Sequence, residues 1–86
     1  MPMSNRDTNK YELMDGNKVV YVGITNDLER REAEHRSEGM QFTSITKVGN
    51  VTTRDAAEKW EEERIATYKQ SHNGQRPKYN QNDSGK

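Results

Sequence analysis

A short apolar run that gives way abruptly to polar sequence constrains this chain most. Residues 19–22 read Val-Val-Tyr-Val, and β-branched and aromatic side chains of this kind favour a half-buried strand. The sequence after Thr25 is almost wholly polar, and Asn26 with Glu29 three residues later is a capping-box pair that predicts the start of a helix. Gly39 is predicted to end this helix in the left-handed conformation. A strand is therefore predicted to pass directly into a helix near Thr25.

The apolar face of this predicted helix is unusual. A surface helix normally carries apolar residues at intervals of three and four, but this one offers only Leu28 and Ala33. The positions in phase with Leu28 are Arg31, Glu32 and His35. Two interpretations follow, because such a face belongs either to a functional site or to a solvated helix covered with ion pairs.

Composition limits the class of protein. A chain of 86 residues forms one small domain, and with 28% hydrophobic against 33% charged residues its core must be thin. The absence of cysteine excludes disulfides, thiolate metal sites and a thiol nucleophile. Fourteen basic and fourteen acidic side chains cancel, which disfavours strong sequence-independent binding of nucleic acid without excluding a local basic face. No apolar run could span a bilayer and no secretory signal opens the sequence, so a cytoplasmic protein without membrane contact is expected.

The rest of the chain predicts two further strands and a second helix. Residues 10–14 alternate polar with apolar and precede an Asp-Gly turn signal, so with the return strand at 18–25 they form a hairpin that makes Tyr11 and Tyr21 neighbours. A third strand is predicted within 42–53, with a bend or bulge at Gly49-Asn50.

The second helix is predicted to begin at Thr52 and to run to about Ser71, before the stop signal His72-Asn73-Gly74. Residues 1–9 and 81–86 are predicted to be disordered, which leaves a single domain over 10–80.

The second helix directs one of its glutamates inward. An ionised carboxylate in a core is costly unless it is paired or binds a metal. Glu61 is therefore either the partner of Arg64 in an ion pair three residues apart, or a metal ligand. The apolar arc that contains both residues is formed by Ala57, Trp60, Ile65 and Tyr68, and the glutamates outside it are Glu58, Glu62 and Glu63.

In their order and spacing, these residues resemble the GIY-YIG nuclease family. Tyr21-Val22-Gly23 stands for the second half of the family signature, ten residues after Tyr11, and the polar helix with Arg31 and His35 matches the pattern that follows it. The spacing of Ala57, Glu61 and Ile65 matches that around the family's metal-binding glutamate, and Tyr79-Asn80 matches its terminal pair. The chain departs from the pattern in keeping only the tyrosine of Gly-Ile-Tyr, and in a longer interval between Glu61 and Asn80.

The resemblance implies an α+β fold with a three-stranded, mainly antiparallel sheet flanked by helices, and a divalent-metal-dependent endonuclease acting on nucleic acid, with DNA expected. Glu61 would hold one Mg²⁺ or Mn²⁺, Arg31 would stabilise charge on the scissile phosphate, and Tyr11 would be the general base, assisted by a metal-bound water. Tyr21 and His35 would orient the water or phosphate, and Asn80 would hold the region of Glu61.

Further residues are candidates for contact with the nucleic acid. Gly23 would allow a close approach of the backbone, although a simple strand-to-helix turn would need glycine as well. Basic side chains on the first helix and in the terminal segment are predicted to gather on one face: Arg30, Arg31, Arg36, Arg76 and Lys78. A separate targeting protein is a conceivable partner. The alternatives are a non-catalytic nucleic-acid-binding or protein-interaction module on the same fold, and a purely structural domain; the oligomeric state is open.

Overall fold

Three antiparallel strands and two helices make up the computed structural model, which describes residues 6–80. The elements are β1 (Thr8–Asp15), β2 (Lys18–Thr25), α1 (Leu28–Ser37), β3 (Ser44–Thr52) and α2 (Arg54–Ser71). The strand order is β2-β1-β3, with both pairings antiparallel. The predicted α+β fold is confirmed. Most of the predicted disordered ends, residues 1–5 and 81–86, lie outside the described residues.

β1 begins two residues earlier than predicted. Thr8 and Asn9 belong to this strand because Thr8 pairs with Thr52 of β3 and Asn9 pairs with Thr25 of β2. Their local sequence carries no apolar alternation, so only pairing with distant strands places them in the sheet.

The hairpin and the bulge lie where the sequence predicted them. Asp15 pairs with Lys18, and Gly16 between them has a φ of +66°, which a two-residue hairpin loop requires. In the pairing with β3, Lys10 lies opposite Val48 while Thr8 lies opposite Thr52, so β3 bulges there. Gly49 allows this bulge with a φ of +65°.

Both helices begin one residue later than predicted. The N-cap of α1 is Asp27 and not Asn26, because the backbone N–H of Asp27 donates to Thr25 Oγ1 at 3.1 Å and its own carboxylate accepts from the backbone of Arg30 at 3.1 Å. The N-cap of α2 is Thr53, since Thr52 is still paired in β3. The predicted ends are confirmed, with Gly39 at a φ of +87° after α1 and Ser71 as the last residue of α2.

The two faces of the sheet have different roles. Tyr11 and Leu13 of β1 point into the hydrophobic core with Val20, Tyr21 and Phe42. Glu12 points to the opposite face, where Arg64 of α2 donates from Nε to its carboxylate at 2.6 Å. Arg64 thus has a carboxylate partner in β1, a contact between distant parts of the chain that the sequence did not indicate. α2 packs against β1 and β2.

No helix within residues 6–80 is both long enough and apolar enough to cross a membrane.

Candidate active site

Two tyrosines from the sheet and one histidine from α1 form a buried aromatic cluster. Tyr11 Oη lies 2.8 Å from His35 Nε2, and the ring centres of Tyr21 and His35 are 4.7 Å apart. Tyr11 and His35 are fully buried, and Tyr21 is 5% exposed. The face of α1 that carries His35 is therefore turned toward the sheet, while ion pairs of Arg30, Arg31 and Arg36 cover its exposed side. Its helical phase places His35 in the interior where an apolar residue would normally lie.

Burial controls the protonation of this cluster. Desolvation raises the pKa of Tyr11 and of Tyr21, and the positive charge and hydrogen bonding of Arg31 oppose this rise. Burial lowers the pKa of His35, and the charge of Arg31 lowers it further, while Glu38 acts in the opposite direction. At neutral pH the cluster therefore contains neutral phenols beside a neutral imidazole.

Glu38 is a second polar neighbour of His35 and influences which ring nitrogen carries the proton. Glu38 Oε1 lies 3.6 Å from His35 Nδ1, so the negative carboxylate favours a proton on Nδ1. Nε2 is then the acceptor, and the Tyr11 hydroxyl donates to it. Tyr11 thus holds a proton that it can pass to His35.

Arg31 faces the cluster, and Arg30 lies further out. The side chain of Arg31 is 31% exposed and that of Arg30 is 55% exposed, and both contact Glu34. Arg31 Nη1 donates to Glu34 Oε1 at 2.8 Å, and Arg30 Nη2 donates to Asn26 Oδ1 at 3.3 Å. Arg31 lowers the pKa of both tyrosines, which supports the predicted helical phase.

A cleft of about 390 Å³ opens beside the aromatic cluster, between α1 and α2. Arg30, Arg31 and Glu34 line it from α1, and Arg54 and Glu61 line it from α2. Glu61 is only 1% exposed although its side chain forms part of the wall. The cleft therefore combines positive charge from both helices with one buried carboxylate.

The donor set of this cleft fits a hard divalent cation bound through a single carboxylate. Among residues 6–80 there is no group of three or more His, Cys, Asp or Glu side chains that could together hold a metal ion. Mg²⁺ does not need such a group, because it keeps most of its waters and takes one or two carboxylates together with substrate phosphates. Glu61 is the residue that would hold it.

Gly23 leaves space that the tyrosines occupy. A Cβ atom at this position would lie 2.6 Å from both Tyr11 Oη and Tyr21 Cε2. Gly23 lies inside β2 and pairs with Tyr11, so it does not serve a strand-to-helix turn. The glycine is required because the hydroxyl of Tyr11 lies directly over the backbone of β2.

We expect Gly23→Ala to displace the two tyrosine rings and to destabilise the protein by about 1–3 kcal/mol, the usual range for an overpacked interior. Urea unfolding measures this effect. Adding Tyr11→Phe should recover part of the loss, because it removes the Oη contact and leaves the contact with Tyr21. An alanine variant as stable as the wild type would show that the rings do not occupy this space.

Asn80 fastens the terminal segment to the free edge of β2. Its Oδ1 accepts from the backbone N–H of Val22 at 2.9 Å, and its Nδ2 donates to the carbonyl of Val22 at 3.0 Å. The N–H of Tyr79 donates to the carbonyl of Val20 at 2.8 Å. The predicted role of Asn80 was to hold the region of Glu61, whereas these bonds fix the strand between Tyr21 and Gly23.

The predicted basic face is divided. Arg30 and Arg31 line the cleft, but Arg36, Arg76 and Lys78 do not. The Arg36 guanidinium lies 4.2 Å from the centre of the Phe42 ring, and Lys78 Nζ lies 5.2 Å from that of Tyr79. Arg76 is exposed in the segment after α2.

Arg54 is a cleft residue that sequence analysis missed. It is the first residue of α2, outside the apolar pattern. Its spacing of seven residues from Glu61 was the available signal, because residues seven apart share one face of a helix.

The lowered pKa of His35 predicts how the stability of the folded protein changes in acid. Because its pKa is lower in the folded chain than its ordinary value of 6.5, the unfolded chain binds a proton first. The stability that neutral His35 contributes is complete above about pH 6.5 and is lost as the pH falls through the folded pKa. Urea unfolding at pH 7.5 and 5.5 should show a smaller decline in His35→Gln than in the wild type. His72→Gln keeps His35 and should retain the decline, and an equal decline in all three proteins would contradict the assignment.

Comparison with known protein families places this geometry in context. The family model for the GIY-YIG catalytic domain matches residues 8–80, which include both tyrosines, Arg31, His35, Glu61 and Asn80. The searches of curated proteins and of solved structures found no significant match. Since the match covers most of the chain and its fold is the one expected, the chain belongs to the GIY-YIG family, a family of nuclease domains.

Proposed function

We propose that this protein is a divalent-metal-dependent endonuclease that hydrolyses phosphodiester bonds, with DNA as its substrate. One observation carries the proposal. Arg31 and the buried Glu61 line the same cleft from different helices, and Arg31 also acts on the hydroxyl of Tyr11. A phosphate in this cleft could therefore contact a cation and a metal-binding carboxylate together, while Arg31 links the cleft to the buried hydroxyl of Tyr11.

Different residues stabilise different charges during hydrolysis. Arg31 binds the phosphoryl oxygens, for which its planar guanidinium is suited, and stabilises the charge that grows there in the transition state. A divalent cation held by Glu61 would further neutralise the phosphate and the leaving oxygen.

The role of Tyr11 as a general base depends on its protonation state. Burial raises the pKa of this phenol, so Tyr11 is not a ready-made base at neutral pH. Its hydrogen bond of 2.8 Å to His35 provides an acceptor for its own proton. Tyr11 accepts the proton of the attacking water while it passes its own proton to His35 Nε2, and Glu38 stabilises the imidazolium that forms. The water oxygen bonds to phosphorus, the bond to the leaving oxygen breaks, and that oxygen takes a proton from solvent.

A non-catalytic binding module on the same fold is the second candidate. The net charge of zero gives no general attraction to a polyanion, which favours a protein-interaction module over a nucleic-acid-binding one.

Plasmid nicking separates the two candidates. The nuclease should convert supercoiled plasmid to the nicked form with Mg²⁺ or Mn²⁺ and stop when the chelator EDTA is added. A nucleic-acid-binding module would retard the plasmid in a gel with or without metal and leave it intact, and a protein-interaction module would neither retard nor nick it. Intact plasmid under all metal conditions would overturn the proposed activity.

A further inference from the structure

We propose that Arg54 binds a backbone phosphate of the nucleic acid a few nucleotides away from the phosphate that is cleaved. This inference rests on the proposed function. It assigns to the first turn of α2 a binding role that the chemistry of hydrolysis does not require.

The position of Arg54 supports this role. It lines the same cleft as Arg31 and Glu61, and its side chain is 65% exposed. Arg54 and Glu61 are seven residues apart on one face of α2, which separates them by about 10 Å along the helix axis at 1.5 Å per residue. Arg54 and Glu61 therefore start from different positions along the cleft.

The charge of the cleft points to an anionic ligand that is longer than one phosphate. Arg30 and Arg31 enter the cleft from α1 and Arg54 enters it from α2, against the carboxylates of Glu34 and Glu61, so the lining keeps one positive charge in excess in a chain whose formal net charge is zero. Guanidinium groups on two separate walls suit a polyanion that runs along the cleft. Successive phosphates of one DNA strand are spaced by about 3.4 Å along the duplex axis, so 10 Å corresponds to about three nucleotides.

The present partner of Arg54 can be exchanged. Its Nε donates to Glu58 Oε2 at 3.0 Å, within the same helix and at the protein surface. An exposed pair at this spacing is weak, because water and salt screen both charges. The planar guanidinium matches a phosphate at least as well as a carboxylate, so an incoming phosphate can replace Glu58.

The test compares Arg54→Gln with Lys59→Gln. Lys59 is an exposed cation on the same helix, about 140° around its axis from Arg54, and it does not line the cleft. The affinity of each protein for a fluorescent DNA duplex is measured in EDTA at several salt concentrations, for two duplexes of unrelated sequence. Cleavage of the same duplexes is then measured with Mg²⁺.

Arg54→Gln should lower the slope of log affinity against log salt by about one, equally for both duplexes, because one phosphate contact is lost. Its KM should rise while kcat at saturating duplex stays near the wild-type value, and Lys59→Gln should match the wild type throughout. A slope for Arg54→Gln equal to that for Lys59→Gln would overturn the assignment of Arg54 alone. A wild-type protein that binds neither duplex would overturn the proposed function as well.

Discussion

Replacing Glu61 by glutamine is expected to abolish metal-dependent cleavage and to leave the protein at least as stable as the wild type. The carboxylate is 1% exposed, and placing an ionised group in such a site is costly. Glutamine keeps the size and removes the charge, so the variant should unfold at the same temperature or a few degrees higher. It should lose cleavage because a neutral amide is a poor ligand for Mg²⁺.

Two measurements on this variant distinguish a metal ligand from a structural carboxylate. Thermal unfolding with and without Mg²⁺ should show stabilisation by the ion in the wild type and none in Glu61→Gln, because a ligand that binds only the folded state raises its stability. Plasmid nicking measures the activity. Glu62→Gln is the matched control, since Glu62 is the next residue and is exposed, and it should change neither quantity.

A structural Glu61 predicts the opposite result for both measurements. If Glu61 served a buried ion pair, its removal would destabilise the protein by about 3–5 kcal/mol. A Glu61→Gln protein that unfolds at much lower temperature and still nicks plasmid would disprove the metal-ligand role.

Arg31→Ala should reduce nicking by about 10²–10³-fold, the usual loss when a group that stabilises transition-state charge is removed. Arg30→Ala should reduce it only modestly, because Arg30 is the more exposed of the two and Arg31 is the one that lowers the pKa of Tyr11. Arg31→Lys should recover little of the activity, since an ammonium keeps the charge but loses the planar fork. Rates are compared at saturating plasmid.

A structural contribution of Arg31 is tested by unfolding the same variants. Its ion pair with Glu34 lies at the surface, so all three arginine variants should remain close to the wild type in stability. Loss of activity in Arg30→Ala with Arg31→Ala unaffected would overturn the helical phase of α1 on which the assignment depends.

Local sequence predicted the elements more reliably than their ends. The hairpin turn and the stop after α2 depend on glycine and asparagine, whose conformational preferences act within a few residues. Both N-caps lie one residue later than the local sequence predicts, because several hydroxyl and carboxylate side chains compete at the start of each helix. Asp27 and Thr53 were selected by contacts of Thr25 and by the pairing of Thr52 with Thr8, which lies 44 positions away along the sequence.

Residue type and helical phase by themselves determined that His35, Arg31 and Glu61 lie on inward faces, since a helix has a fixed angle per residue. The tertiary structure decided what these side chains meet. Arg64 finds Glu12 across the sheet, His35 reaches the hydroxyl of Tyr11 above Gly23, and Arg54 enters the cleft of Glu61. These contacts join distant parts of the chain, and their geometry depends on how strands and helices pack, which no local pattern records.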